Sequence, residues 1–314
     1  MATGSGISGQ LGVAEESTWG TAVTVTRFYE LLDENIDLDI ARIESEGIRS
    51  GQRVLRSDDW VGGTKRVTGP ITLELATKNI ALLFKHALGS VVTTGAGPYT
   101  HTISPGDLTG KGLTVQAGRP SDDGTVQPFT WNGVKILDWE LSFEVNKHVK
   151  LVFTVVAKDQ TTATALASAS YTSGLQLLSF VHGAITIGGS AAKVKSGSIK
   201  GVNAFNLDRI FTGDSTISEP LENGRRQYSF DLKCEFESLT ALNRIVNGTE
   251  AALSLAFTRG SDSVTVAGNI RSDKGMPNLA NMDVLEQPLS GKFVATAADS
   301  TALTVTVVSG ESTP

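Results

Sequence analysis

Cysteine is almost absent from this sequence: Cys234 stands alone among 314 residues. No intrachain disulfide can form, and synthesis in a reducing compartment is expected. Cys234 falls at an apolar position of an alternating run, where its plain reading is a small buried hydrophobe. Long apolar runs are missing too, since none approaches the roughly 18 residues of a membrane-spanning helix. The opening MATGSGISGQLG lacks the basic and apolar regions of a signal peptide, so a soluble protein made in a cytoplasm is expected, with no membrane partner. Basic charge is in deficit: 27 Lys and Arg face 33 Asp and Glu, a net charge of −6. That balance argues against a surface that grips nucleic acid by neutralising phosphates, though not against one that repels them.

Catalytic and ligand-binding motifs are also lacking. GDLTGKG, residues 106–112, breaks the spacing of a phosphate loop and places Gly112 where Ser or Thr would bind magnesium. The four histidines, His86, His101, His148 and His182, stand at no metal-ligand spacing. Asp122 and Asp123 before Gly124 read as a turn, because the other ligand positions of a calcium loop are absent. No GxSxG elbow occurs and no cysteine lies near a histidine. Carboxylate pairs such as Glu15 with Glu16 carry no specificity in a chain with this many acids. The expectation is a protein that is not an enzyme and takes no cofactor and no metal.

What is present points to β-structure. Glycine is frequent, at 33 residues, alongside abundant Thr, Ser and Val and only 6 % aromatics, a composition for strands and turns rather than a helical bundle. At 40 % hydrophobic the chain can bury one large core or two smaller ones. The clearest stretch is WNGVKILDWELSFEVNKHVKLVFTVVA, residues 131–157. Trp139, Leu141, Phe143 and Val145 alternate with Asp138, Glu140, Ser142, Glu144 and Asn146; Val149, Leu151, Phe153 and Val155 alternate again after a polar break. An antiparallel hairpin follows, with one apolar and one acidic face.

In chain order, residues 1–26 read as an N-terminal arm whose first twelve positions are rich in Gly and Ser. Extended structure is expected through Val23, Val25, Phe28 and Tyr29 and on through Ile36, Leu38 and Ile40. Residues 44–63, with Arg49, Arg53, Arg56, Asp58 and Asp59, show no period and read as a long interaction-bearing loop. Ile71, Leu73 and Leu75 form a strand, followed by a helix with Thr77 as N-cap and Gly89 as its stop. Residues 159–177, rich in Thr, Ala and Ser, read as a linker. Beyond it the chain restarts, with a strand over residues 180–187, another over 198–207 and an alternating run over 228–236. A helix with Ser238 at its start and Gly248 at its end follows.

Setting RVTGPITLELATKNIALLFKHALGS over RRQYSFDLKCEFESLTALNRIVNGT aligns Ile71 with Phe230, Leu73 with Leu232, Leu75 with Cys234, Leu83 with Leu242 and Gly89 with Gly248, an offset of 159 residues. Upstream, Leu38 and Arg42 lie near Phe205 and Arg209 at an offset of 167. An internal duplication is the reading, giving a first β-domain over residues 27–158 and a second over 178–314.

Several segments together resemble the tail tube, or major tail, proteins of long-tailed bacteriophages, in their longer form. They are GVAEESTWGTAVTVTRFYELL, GIRSG, VTGPITLEL, LLFKHALGS, YTHTISPGD with LTVQAG, and FTWNGVKILDWELSFEVNKHVKLVFTVVAKD. The resemblance implies two tandem β-sandwich or barrel domains, each with one flanking helix. It also implies self-assembly into stacked rings whose hairpins line a channel for DNA. With two such domains per chain, the implied ring holds three copies in pseudo-sixfold symmetry, a homohexamer being the alternative. A tape measure protein inside the tube and terminator and tip proteins at its ends are further implied partners, DNA passing without specific binding. Asp138, Glu140 and Glu144 would then line the channel, with Arg49, Arg53, Arg56, Asp58 and Asp59 at ring-to-ring contacts. Two other readings remain open on the residues: another virion component, such as a head-tail connector or capsid decoration protein, and a carbohydrate-binding or adhesin module.

Overall fold

A chain whose apolar residues recur at every second position buries them most readily as strands, and the computed structural model is mainly β with two α-helices. It describes residues 4–277, 279, 282, 284–296 and 301–314. The first half holds β1 (Gln10–Glu16), β2 (Arg27–Tyr29), β3 (Leu31–Glu34), β4 (Asp37–Glu44), β5 (Trp60–Glu74), helix α1 (Ile80–Leu88), β6 (Gly89–Thr94), β7 (Tyr99–Pro105), β8 (Gly112–Pro120), β9 (Val126–Glu144), β10 (Lys150–Ala157) and β11 (Asp159–Thr161). The second holds β12 (Gly183–Ile187), β13 (Ser190–Ala191), β14 (Val194–Val202), β15 (Phe205–Asn206), β16 (Leu221–Glu222), β17 (Gln227–Glu235), α2 (Thr240–Asn247), β18 (Ala251–Arg259), β19 (Asp262–Lys274), β20 (Glu286–Phe293) and β21 (Leu303–Ser309).

The expected hairpin is β9 with β10. Trp139 stands opposite Phe153 and Leu141 opposite Leu151, and all four are buried. Val145 leaves this face and is exposed, because β9 ends at Glu144 and the turn passes through Asn146 at φ 65°.

Other expectations need correction. Residues 10–16, placed in the arm, are strand β1, which pairs along its length with β8 and buries Leu11 and Val13; Met1, Ala2 and Thr3 lie outside the described residues. The long loop is shorter than expected, since Trp60 already begins β5 and Ser45 N donates to Asp59 O at 2.7 Å across its base. Thr77 does not cap α1. Its hydroxyl oxygen accepts from Gln176 N, and Asn79, at φ 65°, precedes the helix instead. Gly89 does end α1, its N–H donating to Lys85 O. Residues 180–182 form a 3₁₀ turn rather than strand. The segment read as a linker is pinned to the first half: Gln116 Nε2 donates to Ala165 O at 3.1 Å, and Ala167 N donates to Gln116 Oε1 at 2.8 Å.

The two halves pair their strands in the same order. In the first, β1 pairs with β8, β8 with β9, β9 with β10 and β11, β10 with β5, and β5 with β3 and β4. In the second, β12 pairs with β18, β18 with β19, β19 with β20 and β21, β20 with β17, and β17 with β14. Every one of these pairs is antiparallel, and a helix follows β5 and β17 alike. The long strands β9 and β19 each serve two layers. One end faces β8 or β18 and the other runs beside β10 or β20, with a register shift where the strand turns the corner.

Among the described residues, two strand pairings join the halves, β9 with β14 and β7 with β21. At the first seam Trp139 is fully buried, edge-on to Phe84 of α1 at 5.5 Å and tilted against Tyr228 of β17 at 6.5 Å. Gly201 lies opposite it in β14. A Cβ at Gly201 would meet the indole nitrogen at 2.3 Å, so only glycine admits the tryptophan. The helices differ in what covers them. Eight of the nine residues of α1 are buried, under the β6–β7 hairpin and the second half, whereas α2 buries none.

Candidate functional site

Following hydrogen-bonded neighbours from β3 gives one antiparallel wall, β3–β5–β10–β9–β14–β17–β20–β19. Each half supplies four of its eight strands. One face packs on the core through Leu73, Phe153, Leu141, Ile199, Phe230 and Leu289. The other is polar and concave. Glu140 of β9 and Lys274 of β19 line one depression of about 360 Å³, although β14, β17 and β20 lie between them.

The three carboxylates singled out in β9 fall on this concave face. Asp138 Oδ1 accepts from Thr154 Oγ1 at 3.0 Å and lies 3.9 Å from Lys200 Nζ. Glu140 stands opposite Lys200 in register, and Glu144 pairs with Lys147 at 2.6 Å. These lysines give the face both signs of charge. Glu286 on β20 is held by Lys195 at 2.8 Å and Lys233 at 2.6 Å, and those hydrogen bonds keep its carboxyl below the usual range. Sequence reasoning missed the basic contribution from β14. Its signal was present in VKSGSIKGV, where Ser196, Ser198 and Lys200 alternate with the inward Gly197, Ile199 and Gly201.

The five charged residues expected at contacts between rings all lie in the loop between β4 and β5, Arg49, Arg53 and Asp58 exposed and Arg56 and Asp59 half-buried. Arg56 pairs with Asp58 at 2.5 Å, leaving most of this charge facing outward. Apolar side chains accompany it: Ile43, Ile48, Val54, Leu55 and Val61 are exposed, and Arg42 lies over the Trp60 ring at 5.2 Å. The corresponding stretch of the second half, residues 206–221, folds back instead. Lys65 N donates to Ser215 O at 2.7 Å, and Glu219 reaches the buried Lys135 at 2.8 Å.

The neighbouring acids Glu15 and Glu16 are each held by other side chains or backbone. Glu15 is taken by Lys85 at 2.7 Å and His86 at 3.3 Å. The His86 imidazole beside it and the hydrogen bond from Lys85 together outweigh burial and hold its carboxyl at about 2. Glu16 is buried and accepts from Gly20 N, Gly133 N and Thr114 Oγ1, which makes it a structural tie. Burial pushes the Cys234 thiol up to about 11, far from a reactive thiolate. Among the described residues no group of three His, Cys, Asp or Glu side chains is placed to hold a metal ion, and no helix is long and apolar enough to cross a membrane.

Comparison with known families gives one result that spans this whole arrangement: the model of the family described as phage tail tube protein matches residues 6–307. No curated protein matches the chain.

Proposed function

The chain belongs to the phage tail tube protein family and is a structural protein of the virion tail that assembles with copies of itself into a stacked structure, and from that premise we propose that three copies close into a pseudo-sixfold ring. The carrying observation is the repeated order of strand pairing in the two halves, joined edge to edge by β9 and β14. That order supports reading the two halves as duplicated domains, the second over residues 178–314 and the first extending beyond residues 27–158 to take in β1 and β11. A chain that already joins two four-strand walls through one seam closes by repeating the seam. Three copies bring 24 wall strands, eight from each, into one barrel. Its concave charged face, with Asp138, Glu140 and Glu144, lines a lumen through which DNA slides. A structural and not a catalytic role is assigned, with the tape measure, terminator and tip proteins as further partners. Native mass spectrometry of rings released from tubes should give three chains per ring, with threefold end-on averages. Rings of six chains overturn the stoichiometry.

The outward ribbon supplies the contact between stacked rings, through Arg49, Arg53, Arg56, Asp58 and Asp59 and the apolar residues beside them. Because Ser45 and Asp59 already meet across the base of the loop, residues 46–58 can be replaced by a short glycine turn without opening β4 from β5. The variant is expected to keep wild-type thermal stability within about 1 kcal/mol and to form no tubes under electron microscopy. Tubes of normal length from a folded variant would remove the loop from this role.

A further inference from the structure

The internal seam states its own register, and that register can be carried to the chain's two outer edges. Two strands next to equivalent partners identify the counterparts. Glu34 and Ile199 stand opposite Ile71 and Phe230, and Asp37 and Val202 opposite Thr68 and Gln227. Between them Asn35 N donates to Pro70 O, while Lys200 stands opposite Ser229. β3 and the residues up to Asp37 are therefore the counterpart of β14. On the other side, Trp139 and Ser272 stand opposite Phe153 and Gly291, and Glu140 and Lys274 opposite Val152 and Ser290. Asp138 and Arg271 stand opposite Thr154 and Lys292. The end of β19 is thus the counterpart of the end of β9.

Within the chain, β9 uses that end to pair with β14. The equivalent edges carry no strand among the described residues: β18 covers β19 only as far as Ile270, and β3 pairs with β5 alone. Leu31 and Leu32 on β3 are exposed at 36 % and 53 %. Farther along this edge the N–H of Ile36 donates to Glu34 Oε1 and its carbonyl accepts from Arg119 Nη2, side-chain bonds that a neighbouring strand would replace. The charges are complementary, with the signs exchanged relative to β9 and β14. Placing Val202 opposite Asp138 and Lys200 opposite Glu140 translates to Asp37 opposite Arg271 and Asn35 opposite Lys274. Lys274 then lies diagonal to both Asp33 and Asp37, a spacing at which opposite charges in neighbouring strands attract.

Resting on the ring reading, we propose that the occupant of each free edge is a second copy of this chain: Leu31–Asp37 of one copy pairs antiparallel with Arg271–Met276 of the next, in the register of the β9–β14 seam.

Tubes of the Asn35→Cys, Lys274→Cys double variant, oxidised, should yield reducible species of two and three chains and none larger, and neither single variant should do so. Cys234 is buried and common to all three chains. Normal tubes without the cross-link overturn the seam, as does Asn35→Cys cross-linking to itself, and either leaves the tube function standing. Failure of the unsubstituted chain to form tubes overturns the function instead. Where the double variant fails to assemble, charge exchange decides. Arg271→Glu with Lys274→Glu should cut tube yield at least tenfold, and adding Asp33→Lys with Asp37→Lys should restore most of it; absence of rescue overturns the seam.

Discussion

Trp139→Ala is expected to lower the unfolding free energy by about 3–5 kcal/mol, the range for emptying a fully buried large aromatic site. Against a typical total of about 5–15 kcal/mol, that leaves a chain near its stability limit. The site has little freedom to collapse. Phe84, Phe153 and Tyr228 approach from α1, β10 and β17; β10 and β17 are fixed by their sheet pairings and α1 by the burial of nearly all its residues. Gly201, which lets β14 lie close, has no side chain to fill the vacated volume. The loss also falls on the joint between the halves, because Trp139 faces both α1 of the first and β17 of the second. Denaturant unfolding followed by two probes, one in each half, checks this. The wild type should unfold in a single transition and the variant at a much lower midpoint, with separation of the two probes. A loss below about 1 kcal/mol would show that Trp139 is not the clamp between the halves.

The wall was legible where its period-two pattern was strong. Trp139 to Phe143 and Leu151 to Val155 alternate without interruption, and Phe230 to Cys234 does the same, so the strands and their buried faces follow from side-chain alternation alone. Elements whose partners lie far along the chain were harder to read. β1 carries only Leu11 and Val13 as strong apolar signals amid glycine, and what fixes it is β8, about a hundred residues on. The start of α1 is set from farther still: Asn79 N donates to Glu311 Oε2 at 2.6 Å, which no local capping rule anticipates. The acidic strip was read correctly as one face of β9, but its electrostatic setting was not. Lys200 comes from β14, in the other half, and its approach to Asp138 depends on a seam that alternation cannot specify. The reading of a repeat came from a few aligned residues. The proposed duplication rests beyond that on similar neighbours: β5 lies between β10 and β3, with Ile71 opposite Phe153 and Glu34, and β17 between β20 and β14, with Phe230 opposite Gly291 and Ile199.

Those charge relations decide how the lumen reading is best tested. Glu140→Lys with Glu144→Lys turns two negative charges into positive ones on the concave face. Each new lysine meets a like charge, Lys200 opposite residue 140 and Lys147 beside residue 144, but the inward Trp139, Leu141 and Phe143 are untouched, so tubes are expected to form with a modest loss of stability. Asp138 is the poorer position for reversal. Besides facing Lys200, as residue 140 also does, it accepts a hydrogen bond from Thr154 that a lysine loses, so Asp138→Lys should add a further stability defect to any transport effect. In the double variant each new ammonium offers DNA a phosphate partner, repeated in every copy around and along the tube. Each phosphate contact steepens the salt dependence of binding by about one unit of log–log slope. DNA ejection from assembled particles is therefore expected to slow by roughly tenfold or more at low ionic strength and to recover as salt is raised, because screening weakens the added contacts. Glu140→Gln with Glu144→Gln, which removes repulsion without adding attraction, should produce a smaller slowing. An unchanged ejection rate at low salt in the lysine variant, with intact tubes, would place this face away from the DNA path and return its carboxylates to ordinary solvent exposure.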